Sequence, residues 1–290
     1  MRQLTECPVC GSVALHPFAS LSGPRNGALH SAQVRCAGCR LVISQPQAAD
    51  SDIREYYRHR YYEEQWPDAR AMRIVNAARH RRVTMPLLEK LWQGWVRDGG
   101  FALEIGCGYG AMLDALEESG YRAVGVDPSV HALTVCRRHG LRVIVGTAPE
   151  LPVRDGRFDL AVARHVIEHV VDPAGFVSSL ARFVRPGGVI ALETENVWTS
   201  QYFWDRCRAA IVGRAAPFRT STDHTFVFQS DHLRQFLVAA GCSDVRTKVF
   251  SERPDAESLH WRIYKGLFRS LDRIAGVGEY VLAVGRKSLA

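Results

Sequence analysis

Two C-x-x-C pairs near the N-terminus have the spacing of a metal site. They read C-P-V-C at 7–10 and C-A-G-C at 36–39, and the other four cysteines of the chain stand singly. Four thiolates suit one tetrahedral zinc ion, whose closed sulfur shell leaves no position for substrate, so the predicted role is structural. Redox pairs or a disulfide framework are the alternative in an oxidising compartment. The predicted ligands are Cys7, Cys10, Cys36 and Cys39.

A glycine-rich turn forms the second group. Residues 103–110 read L-E-I-G-C-G-Y-G, and glycines let a backbone turn tightly and approach a ligand closely. The same stretch fits the dinucleotide fingerprint G-x-G-x-x-A, with Asp127 near the position of its ribose-binding acid. Glu104 favours a different ligand, because its carboxylate could face an ammonium group and would repel a pyrophosphate.

Short apolar segments alternating with amphipathic ones position this turn. Strands are predicted at 101–105, 122–126, 142–145, 158–163 and 189–193, with helices at 110–119, 129–139 and 173–184. Such alternation builds a parallel, doubly wound sheet whose ligand lies at the C-terminal strand edge. A helix at 231–240 and strands at about 245–250 and 279–284 follow, and the last strand could insert antiparallel. We predict a Rossmann-like α/β fold with a seven-stranded sheet.

The chain is predicted to have three parts. Residues 1–49 form the zinc module, 50–98 a helical linker or cap, and 99–290 the main domain, with a substrate-pocket insert at about 195–230. Within the linker, one helix begins at Asp50 or Ser51 as its cap, and a second covers about 68–97. Trp66-Pro67 is expected to separate the two helices.

Several later motifs complete a family pattern. G-T-A-P-E-L-P at 146–152 leads into G-R-F-D-L at 156–160, and H-V-I-E-H and R-P-G-G follow. With the glycine turn, this ordered set resembles the class I S-adenosylmethionine (SAM)-dependent methyltransferases of the small-molecule type over about 100–195. The alternatives are that the glycines only turn a tight loop while Asp127 caps a helix, or that the turn binds NAD.

The resemblance implies roles for individual residues. The glycine turn would pass under the methionine part of SAM near Glu104, and Asp127 would accept hydrogen bonds from both ribose hydroxyls. Pro128 would pack on the adenine and the backbone of Ala148 would meet its edge, whereas Thr147 stands where many relatives carry an acid. The predicted cofactor-binding residues are Glu104, Gly106, Gly108, Gly110, Asp127, Pro128, Ala148 and Arg164.

Methyl transfer needs close approach of acceptor and methyl group, and for a hydroxyl it needs removal of a proton. Residues after the fourth strand border that space in this fold, and His165 is the first candidate base because a histidine pKa is near 6.5. Glu168 and His169 would lie on the same helical face, so the three could hold a divalent metal, or else Glu168 and His169 anchor the loop. His224, in the predicted insert, is the second candidate base.

The acceptor is expected to be a small molecule. A four-cysteine module followed by a tyrosine-rich helix resembles bacterial methyltransferases of sugar and natural-product pathways, which implies O-methylation of a sugar or natural-product hydroxyl. Sugar C-methylation is one alternative, although those enzymes carry a further C-terminal domain. An RNA methyltransferase is another, but the Asn/Asp-Pro-Pro-aromatic clamp is absent after the fourth strand, which reads A-R-H-V.

Composition agrees with this class. Hydrophobic residues make up 47% and charged residues 23%, as is usual for a globular protein, and no apolar run approaches the roughly 18 residues of a membrane span. The net charge of +7 comes from arginines scattered along the chain, which favours nucleic acid only weakly. With no apolar N-terminal segment, we expect a cytoplasmic protein that does not act at a membrane. The sequence leaves the oligomeric state open.

Overall fold

The structure is a computed structural model that describes residues 3–20, 32–96, 99–213, 224–251, 267–272, 274–275 and 277–289. The strands are β1 Leu15–Ser20, β2 Ala32–Cys36, β3 Val42–Gln45, β4 Phe101–Ile105, β5 Arg122–Asp127, β6 Val143–Val145, β7 Phe158–Arg164, β8 Val184–Glu195, β9 Phe226–Val227, β10 Cys242–Phe250 and β11 Tyr280–Lys287. The helices are α1 Asp50–His59, α2 Tyr61–Gln65, α3 Ala69–Arg79, α4 Met85–Trp92, α5 Ala111–Glu118, α6 Val130–Arg138, α7 Pro173–Phe183, α8 Ser200–Ile211 and α9 Ser230–Ala239.

Seven strands form the main sheet in the order β10-β11-β8-β7-β4-β5-β6. Strands β4 to β8 pair in parallel, and β11 runs antiparallel to both β8 and β10. Alternate residues supply the two faces, so Leu103 and Ile105 of β4 join one buried cluster and Ala102 joins the other. The predicted Rossmann-like sheet with its late antiparallel strand is confirmed.

Some predicted boundaries differ. Strand β8 begins at Val184, five residues before the predicted start at 189, because the R-P-G-G turn continues directly into the ladder. The second linker helix ends at Trp92 instead of 97, where Gln93 leaves the helical conformation and Gly94 has a φ of 79°. The cap of α1 is Ala49 rather than Asp50 or Ser51, which lie in its first turn.

The N-terminal region is a sheet, which the sequence analysis did not predict. Strands β1, β2 and β3 form an antiparallel sheet, and β9 of the main domain adds a fourth strand beside β3. Leu41 and Ile43 are fully buried and pack in the same cluster as Phe226 and Leu233. The cysteine region therefore shares a sheet and a core with the main domain, while the exact boundaries at 49 and 98 stay predictions.

The predicted insert at 195–230 is partly outside the described residues. Residues 214–223 of it, including Thr222 and Asp223, lie outside. The described part contains α8, which has no buried residue and exposes Phe203 and Trp204, followed by His224 and β9. Among the helices described, none is long and apolar enough to cross a membrane.

Candidate active site

A cavity of about 1100 Å³ lies at the C-terminal edge of the parallel strands. Its walls come from the turn after β4, the end of β5, the loop after β7 and the helices α1 to α3. Seven of the eight predicted cofactor-binding residues and both candidate bases line it. Gly110 does not: a Cβ there would lie 2.5 Å from Leu141 Cδ1, so this glycine serves helix packing.

Gly106 and Gly108 form the floor of the cavity in backbone conformations that favour glycine. Their φ angles are 74° and 49°. A Cβ on Gly106 would lie 2.3 Å from Val166 Cγ2, which is closer than two non-bonded carbon atoms can approach. The glycine turn and the loop that carries the histidines are therefore in direct contact.

Glu104 is a buried carboxylate that faces this cavity. It is 4% exposed, and within the described part of the chain its Oε2 has no hydrogen-bond partner. Burial raises the pKa of Glu104 well above its usual range, although the Arg164 guanidinium opposes that rise. An ammonium group placed beside Oε2 would satisfy the oxygen and offset its burial. The site thus fits the cationic part of SAM.

Asp127 ends β5 and is also buried. Its Oδ2 accepts hydrogen bonds from the Gly108 N–H at 3.0 Å and from the Tyr62 hydroxyl at 2.9 Å, and its Oδ1 accepts one from the Ser129 N–H at 2.9 Å. Burial raises the pKa of Asp127, while these donors lower it. We call Glu104, Gly106, Gly108 and Asp127 the glycine-turn wall.

Arg164 belongs to a buried charge network beside that wall. Its Nη2 donates to Glu193 Oε1 at 2.5 Å, and its Nη1 lies 2.9 Å from His80 Nε2. Because arginine only donates, His80 accepts at Nε2, and burial together with Arg164 lowers the pKa of His80 well below its usual range. Arg164 lies on the cavity wall, and its contact with the cofactor stays a prediction.

His165 lies between two carboxylates. Its Nδ1 is 3.4 Å from Glu168 Oε1 and its Nε2 is 3.4 Å from Glu193 Oε1. Burial opposes a charge on the ring, but these two carboxylates outweigh it and raise the pKa of His165 to about 9. A histidine that is protonated at neutral pH does not accept a proton there, so this geometry argues against His165 as the general base.

His169 and His224 meet on another part of the cavity wall. Their ring centroids are 4.8 Å apart, and the Tyr57 hydroxyl lies 2.8 Å from His169 Nδ1. Ligand atoms of Glu168, His169 and His224 all lie within 4.8 Å of one another. His224 therefore takes the place that the sequence analysis gave to His165 in a candidate metal group. We call Tyr57, Glu168, His169 and His224 the histidine cluster.

Sequence reasoning missed Tyr57, Tyr62, His80 and Glu193 as individual site residues. Glu193 carried a signal, because a charged residue at the end of an apolar predicted strand is rarely buried without a partner. All four tyrosines of α1 and α2 line the cavity. That Tyr57 contacts His169 and Tyr62 contacts Asp127 follows from the packing of these helices on the main domain.

The four N-terminal cysteines come together as predicted. Sγ atoms of Cys7 and Cys39 are 3.4 Å apart, those of Cys10 and Cys36 are 3.6 Å apart, and all four lie within 4.8 Å of one another. Zinc–sulfur distances of about 2.3 Å in a tetrahedron require sulfurs about 3.8 Å apart. The four thiols are unbridged and fit that geometry.

The chain is similar to known methyltransferases. A family model described as a methyltransferase domain matches residues 76–247. A ubiquinone biosynthesis O-methyltransferase of Aromatoleum aromaticum is 30% identical over 172 residues, which are 55% of this chain and 73% of that protein. One of Burkholderia ambifaria with the same name is 32% identical over 163 residues, 54% of this chain and 70% of that protein.

A solved structure of a SAM-dependent methyltransferase from Archaeoglobus fulgidus is similar in fold. Its TM-score is 0.52 at 20% identity, with 74% of this chain and 94% of that chain covered. The family-model match spans the glycine turn, Asp127 and the loop after β7, which line the cavity. The chain belongs to the class I SAM-dependent methyltransferases of the small-molecule type.

Proposed function

We propose that this methyltransferase transfers the SAM methyl group to a hydroxyl oxygen of a small molecule. The observation that carries the proposal is one cavity with two kinds of wall, a glycine-turn wall with a buried unsatisfied carboxylate and a histidine cluster. The loops that carry these walls touch at Gly106 and Val166, which would bring cofactor and acceptor together.

The glycine-turn wall would hold the cofactor. Glu104 Oε2 would accept from the methionine ammonium group, and the carboxylate of Asp127 would accept from the ribose hydroxyls. Pro128 and Ala148 line the cavity next to Asp127 and would contact the adenine. Bound SAM supplies a methyl group on a sulfonium, whose carbon–sulfur electron pair stays on sulfur when the methyl group leaves.

His224 would act as the base. Its Nδ1 lies 3.9 Å from Glu195 Oε2. This carboxylate would stabilise the imidazolium that forms when the ring takes the hydroxyl proton. Tyr57 contacts His169, and the rings of His169 and His224 pack edge to face, which fixes the orientation of the cluster. His165, held between Glu168 and Glu193, would be a structural cation.

A divalent cation in the histidine cluster is the second candidate for activating the acceptor. Glu168 is buried, its Oε1 lies 3.4 Å from His165 Nδ1, and in the described chain its Oε2 has no hydrogen-bond partner. A cation held by Glu168, His169 and His224 would satisfy Oε2 and lower the pKa of a bound hydroxyl. Activity measured before and after chelation, with the zinc content followed in parallel, distinguishes the two modes.

The acceptor is proposed to be a small hydroxyl compound. The relatives are named for O-methylation in ubiquinone biosynthesis, and the cysteine module resembles enzymes of sugar and natural-product pathways. The purified chain with SAM should be offered 3,4-dihydroxybenzoate, a simple phenol and methyl hexopyranosides, and the methylated product identified by mass spectrometry. Methylation of none of them, with S-adenosylhomocysteine bound normally, would overturn the hydroxyl proposal while leaving the cofactor site.

We further propose that Cys7, Cys10, Cys36 and Cys39 hold one structural zinc ion. Metal analysis of protein purified without added zinc should find close to one equivalent. Replacing Cys36 with Ser should release it, whereas replacing the exposed Cys207 should not. A preparation that is free of zinc, fully folded and active would contradict this assignment.

A further inference from the structure

The backbone that follows His224 is held by the N-terminal module. Thr225, the next residue, accepts a hydrogen bond at its carbonyl from the Ser44 N–H at 2.9 Å. Its own N–H donates to the Glu168 carbonyl at 2.8 Å. One hydrogen bond thus ties the His224 segment (residues 224–228) to strand β3, and the other ties it to the loop of the histidine cluster.

Strand addition extends this link. Val42 pairs with Val227 and Ile43 with Phe226, and these four side chains are buried. A two-residue strand such as β9 has too few hydrogen bonds to hold its own conformation, so its geometry depends on the strand beside it. The edge of β3 therefore sets where the His224 segment lies.

A second link runs directly from a cysteine. The Gln229 N–H donates to His232 Nδ1 at 3.0 Å, so Nδ1 is an acceptor and the ring proton is on Nε2. Nε2 then donates to the Cys39 carbonyl at 2.9 Å. The module thus holds the His224 segment through β3, and it holds the start of α9, which follows that segment, through the Cys39 carbonyl.

Hydrogen bonds connect the cysteine turn to the start of β3. The Cys36 N–H donates to the Leu41 carbonyl at 2.9 Å, and the Arg40 N–H donates to the Cys36 carbonyl at 3.0 Å. Leu41 directly precedes β3 and is fully buried. A change in the turn at Cys36 is therefore passed to the strand that supports Thr225.

We infer that the N-terminal module is a positioning element for His224. It holds the His224 segment by strand addition and by the contact between Cys39 and His232, and zinc stiffens the turn on which both depend. The inference rests on the proposed function in giving His224 a role toward the acceptor. Loss of the module's order disturbs the histidine cluster and leaves the glycine-turn wall intact.

Amide hydrogen exchange of the full-length chain with S-adenosylhomocysteine present tests this without an acceptor. In Cys36→Ser, exchange in peptides covering 224–228 should rise at least tenfold, whereas peptides covering 101–110 and the affinity for S-adenosylhomocysteine should match the parent. Unchanged exchange in 224–228 overturns the inference. So does an equal loss of protection at 101–110, because the module would then only support overall stability.

A matched pair at His232 probes the link with the cysteines intact. In His232→Gln the amide nitrogen can still reach the Cys39 carbonyl, whereas in His232→Asn the shorter side chain keeps only the acceptor for Gln229. His232→Asn should shift the side-chain NMR signal of His224, identified by its loss in His224→Gln, and His232→Gln should shift it less. Equal behaviour of the two variants overturns the inference. Normal turnover of His224→Ala would instead sink the proposed catalytic role and leave these readouts unaffected.

Discussion

The glycine-turn wall is built from one continuous stretch, residues 104–127, whereas the histidine cluster gathers Tyr57, His169 and His224 from three distant segments. In the first case, two adjacent parallel strands and the turn after β4 place all four residues within about one β-α-β unit. In the second, each side chain depends on how a different element packs. The cofactor site should therefore withstand changes elsewhere in the chain that damage the acceptor site.

The largest expected effect is a loss of turnover on substitution of His224, which should damage the histidine cluster and leave the glycine-turn wall intact. His224→Ala should lower turnover of the methylated acceptor about a hundredfold or more, because the hydroxyl proton loses its acceptor. SAM affinity measured by calorimetry should stay the same. His139→Ala, an exposed histidine outside the cavity, is the control. If His224→Ala turns over normally and chelation has no effect, the enzyme works by proximity alone.

Asp127→Ala should damage the glycine-turn wall and leave the histidine cluster intact. SAM binding should weaken by about 1–3 kcal/mol, the scale of losing hydrogen bonds to a buried polar group. Asp155→Ala, whose carboxylate is 68% exposed, should bind SAM as the parent does. Calorimetry measures the affinity of both variants for SAM. If Asp127→Ala binds SAM as tightly as the parent, the cofactor assignment fails at its most specific residue.

The glycine-turn wall could be predicted from the sequence further than the histidine cluster, because its residues are close together in the chain. The glycine turn, Glu104 and Asp127 sit in local motifs, so their strand ends and shared cavity wall were predictable from sequence alone. The grouping of His169 with His224 was not, because it depends on the pairing of β9 with β3, and a two-residue strand leaves no periodic signal. Side-chain type and the position after the fourth strand favoured His165 as a base, and the two carboxylates that argue against this role are brought to it only by the fold.

His165→Ala tests whether His165, in the loop after β7, serves stability or catalysis. The variant leaves Glu168 and Glu193 without the cation between them, so the free energy of unfolding should fall by about 1–3 kcal/mol. His224→Ala should lose less, since Glu195 beside it is half exposed. Denaturant unfolding of both variants provides the measurement. A His165→Ala protein that is as stable as the parent but inactive would restore His165 as a candidate base.

Tyr62→Phe should have the smallest effect and should act in the opposite direction to Asp127→Ala. Asp127 Oδ2 already accepts two hydrogen bonds, from Gly108 and from the Tyr62 hydroxyl, and a carboxylate oxygen has room for about two. Removing the hydroxyl frees one position for a ribose hydroxyl, while Gly108 and Ser129 still orient the carboxylate.

We therefore expect Tyr62→Phe to bind SAM about two- to fivefold more tightly, the equivalent of about one net hydrogen bond or less. The ligand-free protein should at the same time lose about 0.5–1.5 kcal/mol of unfolding free energy. Tyr61→Phe is the matched control, since the contact to Asp127 belongs to Tyr62. Calorimetry and denaturant unfolding give the two quantities. Weaker SAM binding in Tyr62→Phe would mean that the hydroxyl contacts the cofactor, so that the wall draws on the linker helices as well as on residues 104–127.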